Sequence, residues 1–302
     1  MATHKQKIAV IGARSMVGSR FCELQDDFEL IKSDLDGEIS LDITSQDLVN
    51  AFFQKYDFTT AILFSAYTNV DEAEKQRNDK TGLAWKINVQ GAKNVASACR
   101  QNKRKLLLIS TDFIFDGLNG PYTETEALDQ DLEKISWYGL TKRYSESKTL
   151  GAGGNMVLRI TYPYRAKYEQ KKDFARNILE RYEQNNLYPL FFDQITTPTF
   201  IDDIAPAIEI LLKSKETGIF HLASPTSCTP YLFGQKLLKQ FNKDPGKIVK
   251  SLLSDALNKE GTTPRPLRGG LKIEKLPKMG FVPTSWEDGI KKIFTQINDK
   301  LI

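Results

Sequence analysis

The sequence predicts an α/β fold built on a parallel β-sheet with helices on both faces. Along the first 160 residues, stretches of continuous apolar character alternate with stretches whose apolar residues recur at helical spacing. Strands that are apolar at every position are buried on both faces, as in a doubly wound parallel sheet. Apolar residues make up 40% of the 302 residues, which is enough for a large buried core.

Five strands are predicted in this region, each followed by a turn or a helix. They cover residues 8–11, 28–35, 59–66, 106–109 and 155–161. A further strand-like run, GIFHLAS, contains His221, which the pattern places in a core or at a sheet edge.

Helices are predicted between these strands. One begins after Gly18, and another occupies residues 41–56, with Thr44 or Ser45 as its amino-terminal cap. A long helix is expected over residues 81–101, because Leu83, Ile87, Val95 and Ala98 form an apolar stripe. The stretch SWYGLTKRYSE, which begins at residue 136, predicts one more.

Composition narrows the function classes. The net charge of +4 is spread along the chain without a basic block, which argues against nucleic acid. No apolar run approaches the roughly 20 residues of a membrane helix. Three widely separated cysteines and a polar amino terminus favour a cytoplasmic protein with reduced thiols. With only two histidines, His4 and His221, neither a histidine metal site nor a Ser-His-Asp triad is expected.

The turn GARSMVG follows the first strand and predicts a dinucleotide site. Gly12 permits the tight turn, and Gly18 permits the helix to pack closely on the strand. The N–H groups at the start of that helix favour a pyrophosphate. The fold is therefore predicted to be of the Rossmann type, with Met16 and Val17 also lining the cofactor. Ser15 stands where a glycine is usual, and its Cβ is expected to crowd the phosphate.

Two residues bear on the choice of cofactor. Asp34, near the end of the second strand, is placed to accept a hydrogen bond from a ribose 2′-hydroxyl and so favours NAD(H). Arg14, inside the turn, is placed to bind a 2′-phosphate and so favours NADP(H). Either residue also fits as surface charge. The guanidinium in the phosphate turn favours NADP(H), with NAD(H) as the alternative.

The pattern changes after about Thr161, where prolines become frequent and the helices shorten. This change predicts a dinucleotide-binding domain over residues 1–160. Residues 161–302 are expected to form a smaller part that mainly binds substrate, with elements near 196–222 returning to the first sheet.

A second cluster carries the predicted chemistry. Tyr138 and Lys142 are four residues apart, so a helix places both on one face. Thr111 ends a predicted strand just before them. The ammonium is expected to lower the pKa of the phenol, whose reference pKa is about 10. Tyr138 would then exchange a proton with a carbonyl oxygen held by Thr111. A Tyr-x-x-x-Lys pair is also common on exposed helices.

Several stretches, in order along nearly the whole chain, resemble a known family. They include SAYTNVDEAEKQ, KINVQGAKNVASAC, STDFIFDG, YGLTKRYSE, DQITTPTFIDDIA and PRPLRGGLKIEKL. The family is the extended short-chain dehydrogenase/reductases, and within it the dTDP-4-dehydrorhamnose reductases. The resemblance implies an NAD(P)H-dependent reductase of a 4-keto nucleotide-sugar, with a homodimer as one arrangement.

The resemblance also implies roles for individual residues. The implied catalytic residues are Thr111, Tyr138 and Lys142, of which Tyr138 and Lys142 also contact the cofactor. The other cofactor residues that it implies are Asp42, Ile43, Ser65, Ala66, Tyr67 and Asn88. The implied substrate residues are Val70, Asp112, Phe113, Tyr162 and Arg265.

Departures from the family pattern leave alternatives open. Tyr162 stands in place of the usual Trp, and Arg268-Gly269 in place of the usual Asn-Ser. Both positions concern the substrate pocket, so the identity of the sugar in the substrate is left open. Arg265 and Arg268 fit either a diphosphate or an ordinary loop. The altered turn and pocket also fit a non-catalytic regulator, similar to the regulatory subunit of methionine adenosyltransferase. A nucleotide-sugar epimerase is the third alternative.

Overall fold

The computed structural model describes residues 5–128 and 131–298. Within them the chain forms two compact units. The first takes the residues up to 114 together with 135–159 and 205–220. The second takes residues 115–134, 160–204 and those from 221 onward. The chain passes between the units several times, so neither is one continuous segment.

The strands number nine in the described residues. They are β1 Lys7–Ile11, β2 Glu29–Asp34, β3 Ile39–Ser40, β4 Thr60–Leu63, β5 Lys105–Thr111, β6 Met156–Ile160, β7 Leu190–Phe191, β8 Gly218–Leu222 and β9 Lys250–Ser251. The five predicted strands are confirmed as β1, β2, β4, β5 and β6.

The α-helices of the same residues number twelve. They are α1 Met16–Leu24, α2 Gln46–Lys55, α3 Val70–Glu74, α4 Leu83–Trp85, α5 Ala92–Gln101, α6 Trp137–Leu150, α7 Phe174–Glu183, α8 Ile204–Lys213, α9 Pro230–Gln240, α10 Leu253–Leu257, α11 Lys275–Lys278 and α12 Trp286–Asn298. A π-helix, Lys86–Gly91, joins α4 to α5, and short 3₁₀ turns include Asp112–Ile114. None of the described helices has the length and hydropathy that crossing a lipid bilayer requires.

A seven-stranded sheet organises the first unit, in the order β3-β2-β1-β4-β5-β6-β8. The pairs from β3 to β5 are all parallel. The order reverses direction next to β1, as a doubly wound sheet requires, and so confirms the predicted fold class. The carboxyl ends of β1, β4 and β5 therefore lie along one edge of the sheet, where such folds bind ligands.

Local signals set several helix starts. The Ser45 side chain accepts from the backbone N–H of Leu48 and caps α2, as one of the two predicted caps. Ser136 caps α6 in the same way through Gly139.

The predicted helix over residues 81–101 is interrupted. The π-helix between α4 and α5 widens one turn and shifts the phase of the helix by about one residue. As a result, Val95 and Ala98 are buried but Leu83 is 57% exposed. The predicted apolar stripe is therefore wrong at its first position.

Each unit has its own hydrophobic core. In the first unit, side chains of the sheet pack against α2 and α5, with Phe52, Phe53 and Val95 among them. In the second unit, α7, α9 and α12 pack around Phe233, which is fully buried. A two-stranded sheet, β7-β9, completes that unit. His221 is buried, and its Nδ1 lies 2.9 Å from the Lys272 carbonyl oxygen, which confirms a structural histidine.

Candidate active site

The turn between β1 and α1 requires glycine at both predicted positions. Gly12 has φ of +90°, and a Cβ there would lie 2.4 Å from the backbone nitrogen of Ser65. A Cβ on Gly18 would lie 2.2 Å from the carbonyl oxygen of Gly12. Both distances are far inside van der Waals contact. The turn is therefore packed as closely as a dinucleotide-binding turn needs to be.

Ser15 fits this turn as the amino-terminal cap of α1. Its φ of −63° is ordinary for any residue, so glycine is not needed here. Its hydroxyl donates to the Gly12 carbonyl oxygen at 2.7 Å and accepts from the Gly18 N–H at 3.1 Å. The hydroxyl thus fastens the turn to the helix. Met16 and Val17 follow it in the first turn of α1, both half-buried.

Arg14 and Asp34 meet at the carboxyl end of β2. The Asp34 carboxylate accepts from the backbone N–H of Arg14 and from that of Leu35, each at 2.8 Å. The Arg14 guanidinium donates to the carbonyl oxygen of Asp36. One carboxylate oxygen of Asp34 therefore holds the turn through Arg14, and the other bonds the next residue of its own strand end. The guanidinium lies at the strand end where folds of this type bind the 2′-phosphate of NADP.

The residues expected near an adenine are held by local bonds. Asp42 accepts from the N–H and the hydroxyl of Thr44, both at 2.8 Å. Ile43 is buried, and its carbonyl oxygen accepts from the side chain of Asn94 at 2.9 Å. The segment is thereby tied to α5, and Asn94 is a supporting residue that the sequence reasoning missed.

Asn88 connects the segment after β4 to α6. Its side chain accepts from the N–H of Tyr67 at 2.8 Å and donates to the carbonyl oxygen of Tyr67 at 3.1 Å. It also donates to the hydroxyl of Thr141 at 2.9 Å. Asn88 lies on the π-helix, whose wide turn is common at functional sites. Ser65 and Ala66 precede Tyr67 and are half-buried.

The predicted catalytic residues come together at the end of β5. Tyr138 is the second residue of α6, and Thr111 lies close enough to its hydroxyl to lower the pKa of the phenol. The ring of Phe113 meets the Tyr138 ring edge-on, with centroids 5.8 Å apart. Asp112, beside Thr111, is almost fully buried. The structure thus gathers Thr111, Asp112, Phe113 and Tyr138 around one phenol.

The predicted effect of Lys142 on that phenol is wrong. Burial raises the pKa of Tyr138; the nearby side chain of Thr111 lowers it by less, and the Asp112 charge raises it further. Lys142 instead donates from Nζ to the Ile109 carbonyl oxygen at 2.8 Å, and burial lowers its own pKa to about 8. The charge of Glu146 opposes that lowering. The phenol is therefore kept protonated at neutral pH.

The expected substrate residues lie in both units. Val70, Asp112 and Phe113 belong to the first unit, and Tyr162 and Arg265 to the second. Tyr162 has φ of +39°, an uncommon backbone conformation for a bulky residue. Its hydroxyl accepts from the Gln194 side chain at 3.1 Å, and Gln194 also donates to the Pro266 carbonyl oxygen. Strain of this kind concentrates at functional sites.

Further buried residues on α6 and β6 were missed. Glu146 lies one helical turn beyond Lys142 and forms a buried ion pair with Arg159 on β6. The extended spacing Tyr-x-x-x-Lys-x-x-x-Glu is the signal that would have indicated Glu146. Arg159 carries no comparable signal, since its pairing is not local in sequence.

Comparisons with known proteins agree with this geometry. The model of the family described as RmlD substrate binding domain matches residues 6–298. A probable low-salt glycan biosynthesis reductase, Agl14, of Haloferax volcanii is 26% identical over 86% of this chain and 84% of its own length. A dTDP-4-dehydrorhamnose reductase of Aggregatibacter actinomycetemcomitans is 25% identical over 95% and 98%.

Among solved structures, the dTDP-4-dehydrorhamnose reductase of Bacillus anthracis in complex with NADP superposes with a TM-score of 0.85. It is 26% identical and covers 97% of this chain and 99% of its own. The family match takes in most of both units and every candidate site residue discussed above. The chain therefore belongs to the family of proteins with an RmlD substrate binding domain.

Proposed function

We propose that this chain is an NADP(H)-dependent reductase of a 4-keto nucleotide-sugar, like the dTDP-4-dehydrorhamnose reductases among its relatives. The observation that carries the proposal is the buried phenol of Tyr138, which lies beside Thr111 at the end of β5. This group lies on the same sheet edge as the glycine turn after β1. A proton donor and a dinucleotide turn are thus presented at one edge.

The chain's own residues supply the proton and the orientation. Thr111 holds the carbonyl oxygen of the substrate, and Tyr138 gives that oxygen its proton as the ketone becomes an alcohol. Because burial raises the pKa of Tyr138, the phenol carries the needed proton at neutral pH. Lys142 holds its place through the Ile109 carbonyl. When bound, NADPH supplies the hydride.

The residues present fit this cofactor. Gly12 and Gly18 have no Cβ, and a Cβ at either position would fill the turn. The amino terminus of α1 lies at the same turn. Arg14, in the turn after β1 with its guanidinium beside the end of β2, favours a 2′-phosphate and hence NADP(H) over NAD(H). Asp42, Ile43, Ser65, Ala66, Tyr67 and Asn88 would complete the cofactor site.

The proposal is tested by mixing the purified chain with NADPH, or NADH, and a dTDP-4-keto-6-deoxy sugar while absorbance at the nicotinamide band is followed. We expect NADPH to be consumed. Tyr138→Phe should lower kcat by about 10² to 10⁴, since general acid catalysis contributes that much. NADPH binding by this variant should persist.

Other outcomes separate the alternatives. Normal turnover by folded Tyr138→Phe would refute the assigned proton donor. NADPH binding without turnover of any keto-sugar in a panel would favour a regulatory chain. Interconversion of sugars without net NADPH consumption would favour an epimerase.

We also propose that the protein works in the cytoplasm, where thiols stay reduced. Cys22, Cys99 and Cys228 are all free thiols, and the last two are buried. A homodimer remains a prediction, and light scattering from the purified chain would test it.

A further inference from the structure

A buried ion pair lies one helical turn from Lys142 in the first unit. The Arg159 guanidinium donates from Nε to Glu146 Oε1 at 2.9 Å and from Nη2 to Glu146 Oε2 at 2.7 Å. The side chains are only 1% and 3% exposed. Such a pair adds little net stability compared with apolar residues of the same volume, because removing two charges from water is costly. Stability alone therefore does not account for this pair.

Helical spacing places Glu146 one turn beyond Lys142 on α6. Tyr138, Lys142 and Glu146 follow one another at intervals of four residues and share one face of α6. All three are buried. A buried amine loses its proton readily unless a negative charge lies near it. The Glu146 charge acts in that direction, because it raises the pKa that burial lowers.

The charged side chains that the structure describes on the elements packed against α6 are exposed or bonded elsewhere. On α3, Asp71 and Glu72 are exposed. The Glu74 carboxylate accepts a hydrogen bond from the N–H of Trp137 and forms an ion pair with Arg77. The Asp112 charge raises the pKa of Tyr138. The remaining charged side chains of the π-helix, α5 and β5 are exposed, namely Lys86, Lys93, Arg100 and Lys105. On α6 itself, the Arg143 guanidinium donates to the Ile114 carbonyl oxygen, whereas Glu146 lies on the face of Lys142 and raises the pKa of that amine.

We propose that Glu146, held by Arg159, is a positioning residue that keeps the amino group of Lys142 in its ammonium form. The inference deepens the proposed function, in which Lys142 works beside Tyr138. Arg159 supplies two hydrogen bonds that compensate the carboxylate for its lost water. The three side chains form a line of alternating charge from β6 to Lys142.

The test reads Lys142 directly, without substrate. The full-length protein is labelled with ¹³C at lysine Cε, and the Lys142 resonance is assigned by its absence from Lys142→Met. In the unaltered protein we expect a titration midpoint near pH 8. In Glu146→Gln the midpoint should fall by about one pH unit or more, since a neighbouring opposite charge shifts a pKa by that amount. Glu72→Gln, an exposed acid on α3, is the matched control and should leave the midpoint unchanged.

A second variant guards against misfolding. Glu146→Gln with Arg159→Met leaves no unpaired buried charge and should show the same fall if the single variant does not fold. A midpoint that stays near pH 8 in either folded variant would overturn the proposal, even if thermal stability drops. Because the readout needs no turnover, an inactive unaltered protein would count against the proposed function alone.

Discussion

Burial acts in opposite directions on the two groups of the Tyr138–Lys142 pair. It raises the pKa of the phenol and lowers that of the amine, so each neutral form is favoured. For Tyr138 the neutral form is the proton donor that a reductase needs. For Lys142 the neutral form is the one without a cationic hydrogen-bond donor. Burial thus favours the form of Tyr138 that the proposed reaction needs and disfavours the ammonium form of Lys142.

The lowered pKa of Lys142 predicts how activity depends on pH. Lys142 has its ammonium below about pH 8 and loses it as pH rises through that value. We therefore expect kcat/KM for the keto-sugar to fall about tenfold per pH unit above about 8, as expected for a single ionisation. Steady-state rates between pH 6 and 10 would measure this fall.

Lys142→Arg is the control for that profile, because arginine stays charged throughout the range. Its rate should be lower but should not fall near pH 8. A decline at the same pH in this variant would assign the ionisation to another group.

Sequence spacing was sufficient to predict the positions of some site residues but not the interactions of others. Gly12, Gly18 and Tyr138 stand in local motifs, where adjacent residues define the geometry. The interaction of Lys142 with Tyr138 depends on how deeply both are buried, which local spacing does not contain. That is why the direction of the Tyr138 pKa was predicted wrongly.

The position of helix α6 is set by its first turn. Ser136 caps it, and Gly139 brings the helix against the 3₁₀ turn Asp112–Ile114. A Cβ on Gly139 would lie 2.0 Å from the Phe113 carbonyl oxygen. The approach places Tyr138 next to Thr111 and Phe113. The glycine thus links the path of the backbone to the geometry of the site.

Gly139→Ala should consequently destabilise the protein. Alanine in a helix is favoured over glycine by about 1 kcal/mol, but an overlap with backbone costs about 1–3 kcal/mol and a 2.0 Å approach lies at the severe end. We expect a net loss of about 1 kcal/mol or more in the free energy of unfolding, measured by urea denaturation.

Ser147→Ala, exposed on the same helix, should change the free energy of unfolding by no more than about 0.5 kcal/mol. Equal stability of Gly139→Ala and the unaltered protein would show that the helix shifts to accept the methyl group.

Apolar periodicity indicated α2 and the five strands because each is regular along its length. The π-helix Lys86–Gly91 lacks such a signal, since its extra residue follows from the bonds that Asn88 makes with Tyr67 and Thr141. These partners lie 21 and 53 residues away. Elements that depend on distant partners are therefore the ones that local patterns miss.

The first unit is assembled from distant parts of the chain. Its outermost strand on one side, β8, pairs with β6 although about sixty residues separate them. Helix α8, just before β8, buries Ile204, Ile208 and Leu211. The alternation of strands and helices predicted the class of this fold. The division at residue 160 remains a prediction, and the several chain crossings show why composition alone gives few boundaries.

A fragment ending at residue 160 would therefore lack part of the sheet. We expect it to aggregate, because β6 becomes an open edge and the residues that α8 covers are exposed. The same fragment joined through a long Gly-Ser linker to residues 204–222 should regain solubility and a cooperative thermal transition. Size-exclusion chromatography and circular dichroism would compare them. Matching behaviour of the two fragments would show that β8 and α8 are dispensable.

The late arrival of β8 also has a consequence for biosynthesis. A ribosome delivers the chain from its amino terminus, so β6 leaves the exit tunnel well before its neighbour is translated. Until then the growing polypeptide carries an unfinished sheet whose hydrogen-bonding edge is open to other nascent chains. Chaperone dependence during translation should therefore be greatest while codons 161 to 222 are being read.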